Sequence, residues 1–376
     1  MSKKITIVGC GLIGGSIALA LKALRGEWEV VCLDRSERIP ALRDAGVAEE
    51  TGTFDDVGRY VPESALVVLA TPIHVILDQL ERLSAHLQPG TIVTDVGSTK
   101  ARIMEAAGRL MPPGTHFVGG HPMAGSARSG VEAADPLLFS ERIYMLCPHP
   151  DTPPEVMVRM IDFVQGLQAW PFTIDPQEHD RITAMTSHVP QLIAVALMHA
   201  ALGADAAHGL LDLTAGRAFM DMTRIAASDL GVWRGVLETN TEAIGESLAR
   251  FERSLSLLRE AVRAGDAALV WERASSARRR MGLDTLPRPR KTDLRGLIDR
   301  QDRQILTALG QRMRLVRKIG KLKAGQASPV VDPERERLLI GQRVEWARAL
   351  GLPADLIDEL FSVILRHSAR IQTSEN

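Results

Sequence analysis

KITIVGCGLIGGS, residues 4 to 16, decides the fold. Ile5, Thr6, Ile7 and Val8 are mostly apolar and all β-branched, which marks a strand buried on both faces. Gly9, Gly11 and Gly14 follow with GxGxxG spacing, and the apolar run continues at helical spacing to Leu24. In a strand, glycine turn and helix of this kind, backbone N–H groups at the helix N-terminus meet a pyrophosphate, with Leu12 and Ile13 opening the helix beside it. The second strand, WEVVCLD, ends at Asp34, 20 residues after Gly14. A carboxylate there accepts hydrogen bonds from an adenosine ribose, so NAD is the expected cofactor; Arg35, next door, could instead receive a 2′-phosphate.

Outward from this stretch, strand-like runs recur at ALVVLATP (65–72), GTIVTDVGS (90–98), THFVGGHP (115–122) and ERIYMLCP (141–148), with helical stretches between most of them. Alternating strands and helices predict an α/β Rossmann-type, doubly wound parallel sheet over residues 1–175. After WPFTID the pattern turns to long helical periodicity, giving a second, all-helical domain over 176–284. LPRPRK lies in a basic, proline-interrupted linker, 285–291, and three amphipathic helices fill 292–376.

The composition fits this plan. The chain has 376 residues, 45% of them hydrophobic, which suffices for two or three packed cores. Residues 291–376 hold 16 Lys and Arg against 11 Asp and Glu, so the last module carries +5 while the rest carries −6. A basic module nearly free of aromatic side chains suits an anionic small molecule better than a nucleic acid. Cys10, Cys32 and Cys147 show neither disulfide nor metal-ligand spacing, which points to a reducing cytoplasm and no metal. The N-terminal run mimics a signal peptide, but its glycine spacing argues against one, and no other segment is expected to reach the ~18 uncharged apolar residues of a membrane span.

RMRLVRKIGKLK, residues 312 to 323, holds six cations and no anion. At about 100° per residue, Arg314, Arg317, Lys318 and Lys321 share one side of a helix, and Leu315, Val316, Ile319 and Leu322 share the other. Arg312 and Lys323 break the pattern, because both project from the middle of the apolar face. A cation buried there needs an anion, either a protein carboxylate or a ligand.

Ligands of open parallel sheets bind beyond the carboxyl ends of the strands. Three such ends carry polar or special residues here: Thr71 and Pro72, Asp95 to Ser98, and Gly119 to Pro122. His121, behind two glycines, is therefore placed near the nicotinamide end of the cofactor as a candidate base.

GCGLIGGS, ATP, DVGSTK, GGHPMAGS, TSHVPQ and MTRIAASDLGVW together resemble the prephenate dehydrogenase family over about residues 4 to 280. The resemblance implies NAD-dependent oxidative decarboxylation of prephenate to 4-hydroxyphenylpyruvate in tyrosine biosynthesis. It makes His121 the base that takes the ring hydroxyl proton, Ser98 a partner of the same hydroxyl, Arg224 the fork for a substrate carboxylate and His188 a positioning group. Two plainer roles compete: Arg224 could pair with Asp221 or Asp229, and His188 could cap a core. Met220 stands where some members carry lysine, so an ion pair there is absent or rebuilt by Arg217.

Residues 292–376 resemble the all-helical chorismate mutase family, whose product is prephenate. By that resemblance Arg312 and Arg335 bind the carboxylates of chorismate, Lys323 and Gln372 meet the ether oxygen, and Glu336 meets the ring hydroxyl. Asp332 and Ser368 complete the pocket. Arg295 reaches in from a second copy, since members build the pocket across an intertwined dimer. A cytoplasmic homodimer acting on chorismate and prephenate is the resulting expectation, with no nucleic acid or membrane partner. In better-known fusions the mutase comes first; here it follows the dehydrogenase.

Overall fold

The computed structural model describes residues 3–24, 28–125, 128–205, 209–281, scattered helical positions between 302 and 320, 333–349 and 352–374. Two compact units divide the chain at residue 277. The first is built on eight strands: β1 (Lys3–Val8), β2 (Trp28–Asp34), β3 (Glu50–Thr53), β4 (Leu66–Leu69), β5 (Ile92–Asp95), β6 (His116–Pro122), β7 (Ile143–Pro148) and β8 (Trp170–Thr173). Their order in the sheet is β3-β2-β1-β4-β5-β6-β7-β8. Between them run α1 (Leu12–Ala23), α2 (Ile39–Asp44), α3 (Val57–Tyr60), α4 (Ile73–Ser84), α5 (Ala101–Leu110) and α6 (Pro154–Gly166).

Strand parity explains the two cores. Ile5, Ile7, Val30 and Cys32 pack with Ile17, Leu21 and Phe163 on one face. Val8, Val31, Leu33, Val67 and Leu69 pack with Ile76, Leu80 and Ile103 on the other. Alternate residues of one apolar run thus serve opposite layers, which is why these strands read as continuous rather than alternating.

The sheet is not wholly parallel. β7 pairs antiparallel with β6, while β8 returns parallel to β7 through α6. A parallel return needs a crossover helix, and between β6 and β7 the described chain holds only the 3₁₀ turn Val131–Ala133, so the strand doubles back. β3, the short ETGT strand at one edge, has no apolar pattern to announce it.

Helical structure begins at α7 (Pro176–Thr183), where Asp175 accepts from the N–H groups of Gln177 and Glu178 and proline occupies the first turn. A π-helical turn, Ala184–His188, leads into α8 (Val189–Asp205). The π turn matters for register. His179 and His188 are nine residues apart, which on a regular α-helix sets them about 180° apart; one extra residue in a wide turn brings the two to within about 80°. Both are buried. The unit closes with α9 (Leu211–Thr214), α10 (Arg217–Thr223), α11 (Leu230–Thr239) and α12 (Thr241–Arg263), and α13 (Ala268–Arg280) runs across the division. Ala184, Val236 and Ile244 join the second core and hold these helices to the sheet.

By length and composition the helical run Pro176–Gly203 could cross a membrane, which corrects the expectation that no later segment reaches that length. Its first turns nevertheless carry Glu178, Asp180 and Arg181, with Asp180 and His188 buried in polar contacts.

At the carboxyl edge of the sheet Lys100 and Asp95 form an ion pair with both side chains fully buried. The Lys100 ammonium also donates to the Gly120 carbonyl at 2.7 Å, and the Asp95 carboxylate accepts from the backbone N–H of Gly97 and of Gly120. In the second unit the helices Pro333–Ala349 and Ala354–Ser374 pack together. Val316 is buried there, as its place on the apolar stripe predicts, and so are Ile357 and Ile364.

Removing one partner of a buried pair strands the other's charge, so Lys100→Met is expected to lose about 3–5 kcal/mol of stability in urea unfolding. Lys4→Met, which breaks the part-exposed pairs with Glu29 and Glu63, is expected to lose less than about 1 kcal/mol.

Candidate active site

The glycine turn is built for a dinucleotide. Gly9 has a φ of 93°, and a Cβ on it would lie 2.5 Å from Thr71 Cγ2. A Cβ on Gly14 would lie 2.0 Å from the Gly9 carbonyl oxygen, so only glycine lets α1 start this close to β1. Gly11 is the reverse case: its Cβ would meet nothing within 4 Å, which leaves the side open that a pyrophosphate approaches. Leu12 and Ile13 open α1, whose first turn has no side-chain cap. Asp34, buried at the end of β2, accepts from the N–H groups of Cys10 and Arg35, both at 2.8 Å, which fixes its carboxylate beside the turn. The Arg35 guanidinium is drawn to Glu37 at 3.3 Å, which disfavours a 2′-phosphate there. Thr71 Oγ1 is buried without a hydrogen-bond partner at the end of β4, beside Pro72 at the head of α4. These residues fit NAD.

Two strands further along the same edge, β6 delivers His121. Its Nδ1 lies 2.8 Å from Nε2 of His179, and His179 Nδ1 lies 2.8 Å from Asp180 Oδ1. The Asp180 carboxylate accepts from the N–H groups of Lys100 and Ala101, at 2.7 and 2.9 Å, where α5 begins. Desolvation, followed by the nearby His179, Lys100 and His188, holds the His121 imidazole well below its ordinary pKa. It is therefore neutral at pH 7, as a base must be. Ser98 follows Asp95 by three residues in the loop after β5 and is partly buried.

His188 is held from the other side. The Asn240 amide nitrogen donates to the Asp180 carbonyl at 2.9 Å and lies 3.2 Å from His188 Nδ1. The carbonyl contact identifies that amide atom as nitrogen, so Nδ1 accepts and the proton of neutral His188 sits on Nε2. Nε2 is buried and makes no well-formed hydrogen bond among the described residues, although the Ser98 backbone lies near enough to the ring to favour its protonated form. Desolvation pushes its pKa down to about 4, against a smaller opposing effect from Asp180.

Arg224 heads the exposed turn Arg224–Ala227, which Gln191, three residues past His188, fastens by donating to the Ile225 carbonyl. The competing partners are engaged elsewhere: Asp221 lies 3.8 Å from Arg217, and Asp229 caps α11 through the Gly231 N–H. Sequence reasoning quoted Lys100 within DVGSTK without giving it a role, and it missed His179, Asp180 and Asn240. The signal available was a His-Asp pair just inside a capped helix start, next to a second histidine nine residues on.

In the second unit Arg312 points inward, as its place on the apolar face predicts, and its Nη1 donates to Ser368 Oγ at 2.6 Å. Burial, with Arg343 nearby, lowers its pKa. Gln372 lies on the same helix as Ser368, against Gly320, whose Cβ would sit 3.4 Å from the Gln372 Cα. Arg295, Lys323 and Asp332 lie outside the described residues, as do the side chains of Arg335 and Glu336.

The depressed pKa of His188 links its protonation to folding. In the unfolded chain the imidazole takes up a proton near pH 6.5, whereas the folded protein resists it to about 4. Its contribution to stability is thus present above pH 6.5 and is lost as the pH falls through that window, by up to about 1.4 kcal/mol per pH unit. Urea midpoints taken from pH 7 to 4 are expected to fall more steeply for the wild type than for His188→Gln.

Comparison with known proteins agrees with this geometry. Residues 17–170 match the family described as prephenate dehydrogenase, nucleotide-binding domain; 175–273 match prephenate dehydrogenase, dimerization domain; and 294–373 match chorismate mutase type II. The prephenate dehydrogenase of Bacillus subtilis (strain 168) is 35% identical over 269 residues, 71% of this chain and 72% of that protein. The T-protein of Enterobacter agglomerans is 39% identical over 85 residues, 23% of this chain and 22% of that one. A crystal structure of prephenate dehydrogenase from A. aeolicus, in complex with hydroxyphenyl propionate and NAD+, superposes with a TM-score of 0.70 at 28% identity, covering 75% of this chain and 99% of that one. A dinucleotide cradle and a histidine cluster on one sheet edge, matched over two thirds of a curated relative, place this chain in the prephenate dehydrogenase family, with a chorismate mutase type II domain following.

Proposed function

We propose that the chain is a bifunctional enzyme of tyrosine biosynthesis, which rearranges chorismate to prephenate in residues 292–376 and oxidises prephenate to 4-hydroxyphenylpyruvate in residues 1–284, across the linker 285–291. The observation that carries the reading is the convergence of Ser98, His121 and His188 on the sheet edge that holds the dinucleotide cradle.

NAD, held by Gly9, Gly11, Gly14 and Asp34, supplies a hydride acceptor when bound. The protein's own task is to manage one proton and two carboxylates. His121, neutral and desolvated, holds the ring hydroxyl proton while the carbon beneath it is oxidised. Ser98 hydrogen-bonds the same oxygen. Carbon dioxide then leaves, and its bonding electrons make the ring aromatic and leave charge on that oxygen, to which the proton returns. Arg224 grips a substrate carboxylate as a bidentate fork, and the Nε2–H of His188 steadies the acid. In the last domain Arg312, Arg335 and Arg295 hold the chorismate dianion in its folded conformation, while Lys323 and Gln372 meet the charge growing on its ether oxygen.

A cytoplasmic homodimer completes the reading. Leu213 is 81% exposed, Leu269 76% and Trp271 70%, large apolar side chains that a second copy would cover. Light scattering is expected to give the mass of two chains.

Incubation with NAD and either chorismate or prephenate is expected to yield NADH from both. NADH from prephenate alone would reduce the last domain to assembly or regulation, and faster turnover of arogenate would reassign the substrate. Arg224→Ala is expected to raise KM for prephenate by about 10–100-fold. Lys323→Ala is expected to abolish NADH formation from chorismate while leaving oxidation of added prephenate intact.

A further inference from the structure

We infer that His179, oriented by Asp180, is a positioning residue that fixes His121 in the tautomer with its proton on Nδ1, leaving the Nε2 lone pair as the base. The inference rests on the reading of His121 as the group that takes the hydroxyl proton.

One chain of hydrogen bonds sets the tautomer. The Asp180 carboxylate can only accept, and besides the N–H groups of Lys100 and Ala101 it faces Nδ1 of His179 at 2.8 Å. His179 must therefore carry its proton on Nδ1. An uncharged His179 then presents a lone pair on Nε2, and at 2.8 Å from Nδ1 of His121 the hydrogen between them would belong to His121. A neutral His121 with Nδ1–H has a free lone pair on Nε2. Reversing any link reverses the chain, and Nε2 of His121 becomes an N–H that can accept no proton.

His179 is fully buried, so no water replaces it as a partner. The ring centroids of His121 and His179 are 5.0 Å apart, a separation that suits an end-on N–H···N hydrogen bond, and the 60° tilt of the planes excludes parallel stacking. Nothing on His121's own strand can do the same work: its neighbours Gly120 and Pro122 offer no side-chain acceptor.

The same chain could be read as a wire that exports the proton. The balance of the reaction argues against that. Prephenate loses a hydride to the nicotinamide cofactor and one molecule of carbon dioxide, and the hydroxyl proton reappears on the phenol, so no proton has to leave. What the chemistry needs from this row is a fixed lone pair.

The test combines kinetics with the protonation state read directly. With ring-15N histidine, and the His121 signal assigned by its loss in His121→Asn, the wild type is expected to show Nδ1–H and a bare Nε2. Asp180→Asn, whose amide can donate to His179, is expected to move the His121 proton to Nε2 and to lower kcat for prephenate by about 10²–10³-fold with KM changed less than about threefold. His179→Leu is expected to lose a comparable factor, and His179→Gln, whose carbonyl oxygen can still accept from Nδ1, to recover part of it. A wild-type spectrum with the proton on Nε2 would overturn the inference, as would a folded Asp180→Asn protein with wild-type kcat. A wild type that shows Nδ1–H but oxidises no prephenate would instead sink the assigned reaction and leave the tautomer standing.

Discussion

The buried pair of Lys100 and Asp95 ties the site together. As a source of stability such a pair is poor, since two charges lose their hydration and recover only part of it from each other. Its worth is positional. The ammonium spans from β5 to the Gly120 carbonyl on β6, so the two strand ends that carry Ser98 and His121 are clamped at one point. The backbone N–H of the same lysine, with that of Ala101, receives the Asp180 carboxylate and so fastens the first helix of the helical domain to the sheet. From Asp180 the order passes to His179 by the side chain and to Asn240 and His188 by the carbonyl. One residue thus serves both halves of the cluster.

Much of this was legible in the sequence, for identifiable reasons. Gly9, Gly11, Gly14 and Asp34 announce themselves because sterics leave no other residue at Gly9 and Gly14, a bare Gly11 keeps the open side of the turn clear, and the carboxylate follows at a fixed distance. Arg312 stood out because a cation on an apolar helix face calls for an anion; its place on that face is as expected, and the partner found among the described residues is the neutral Ser368 hydroxyl. The antiparallel β7 was not legible, since strand direction depends on what lies between strands, and a loop without a helix leaves no periodic mark. Nor was the relation of His179 to His188: regular helical geometry sets them on opposite sides, and the π turn that reunites them has no side-chain signature. Asp180 was hidden by its ordinariness, one acid among the charges of a helix start.

The helical domain carries a second tension. Its longest run is apolar enough to suit lipid, yet it opens with charges and turns polar groups inward at Asp180 and His188. Polar groups on one side and uncovered Ile182, Val195 and Leu202 on the other suit a helix with protein on both sides. The inner side holds the histidine cluster; the outer is the side that the proposed dimer would cover, and a dimer's apparent stability depends on protein concentration.

Gly119 and Gly120, immediately before His121, divide what evolution can alter from what it cannot. A Cβ on Gly120 would sit 2.3 Å from the Asp95 carbonyl oxygen, and one on Gly119 would press on Met104, Lys100 and Cys147 at 3.0 to 3.3 Å. No side chain can be introduced at Gly120 without parting β5 from β6, and one at Gly119 has to displace the side chains around Lys100, so this part of the sheet is held tightly against change. The loops and short helices from Leu210 to Ala227 are exposed and loosely constrained by comparison. Variation in that region leaves the packed strand ends undisturbed, so the two parts of the fold are free to diverge at different rates.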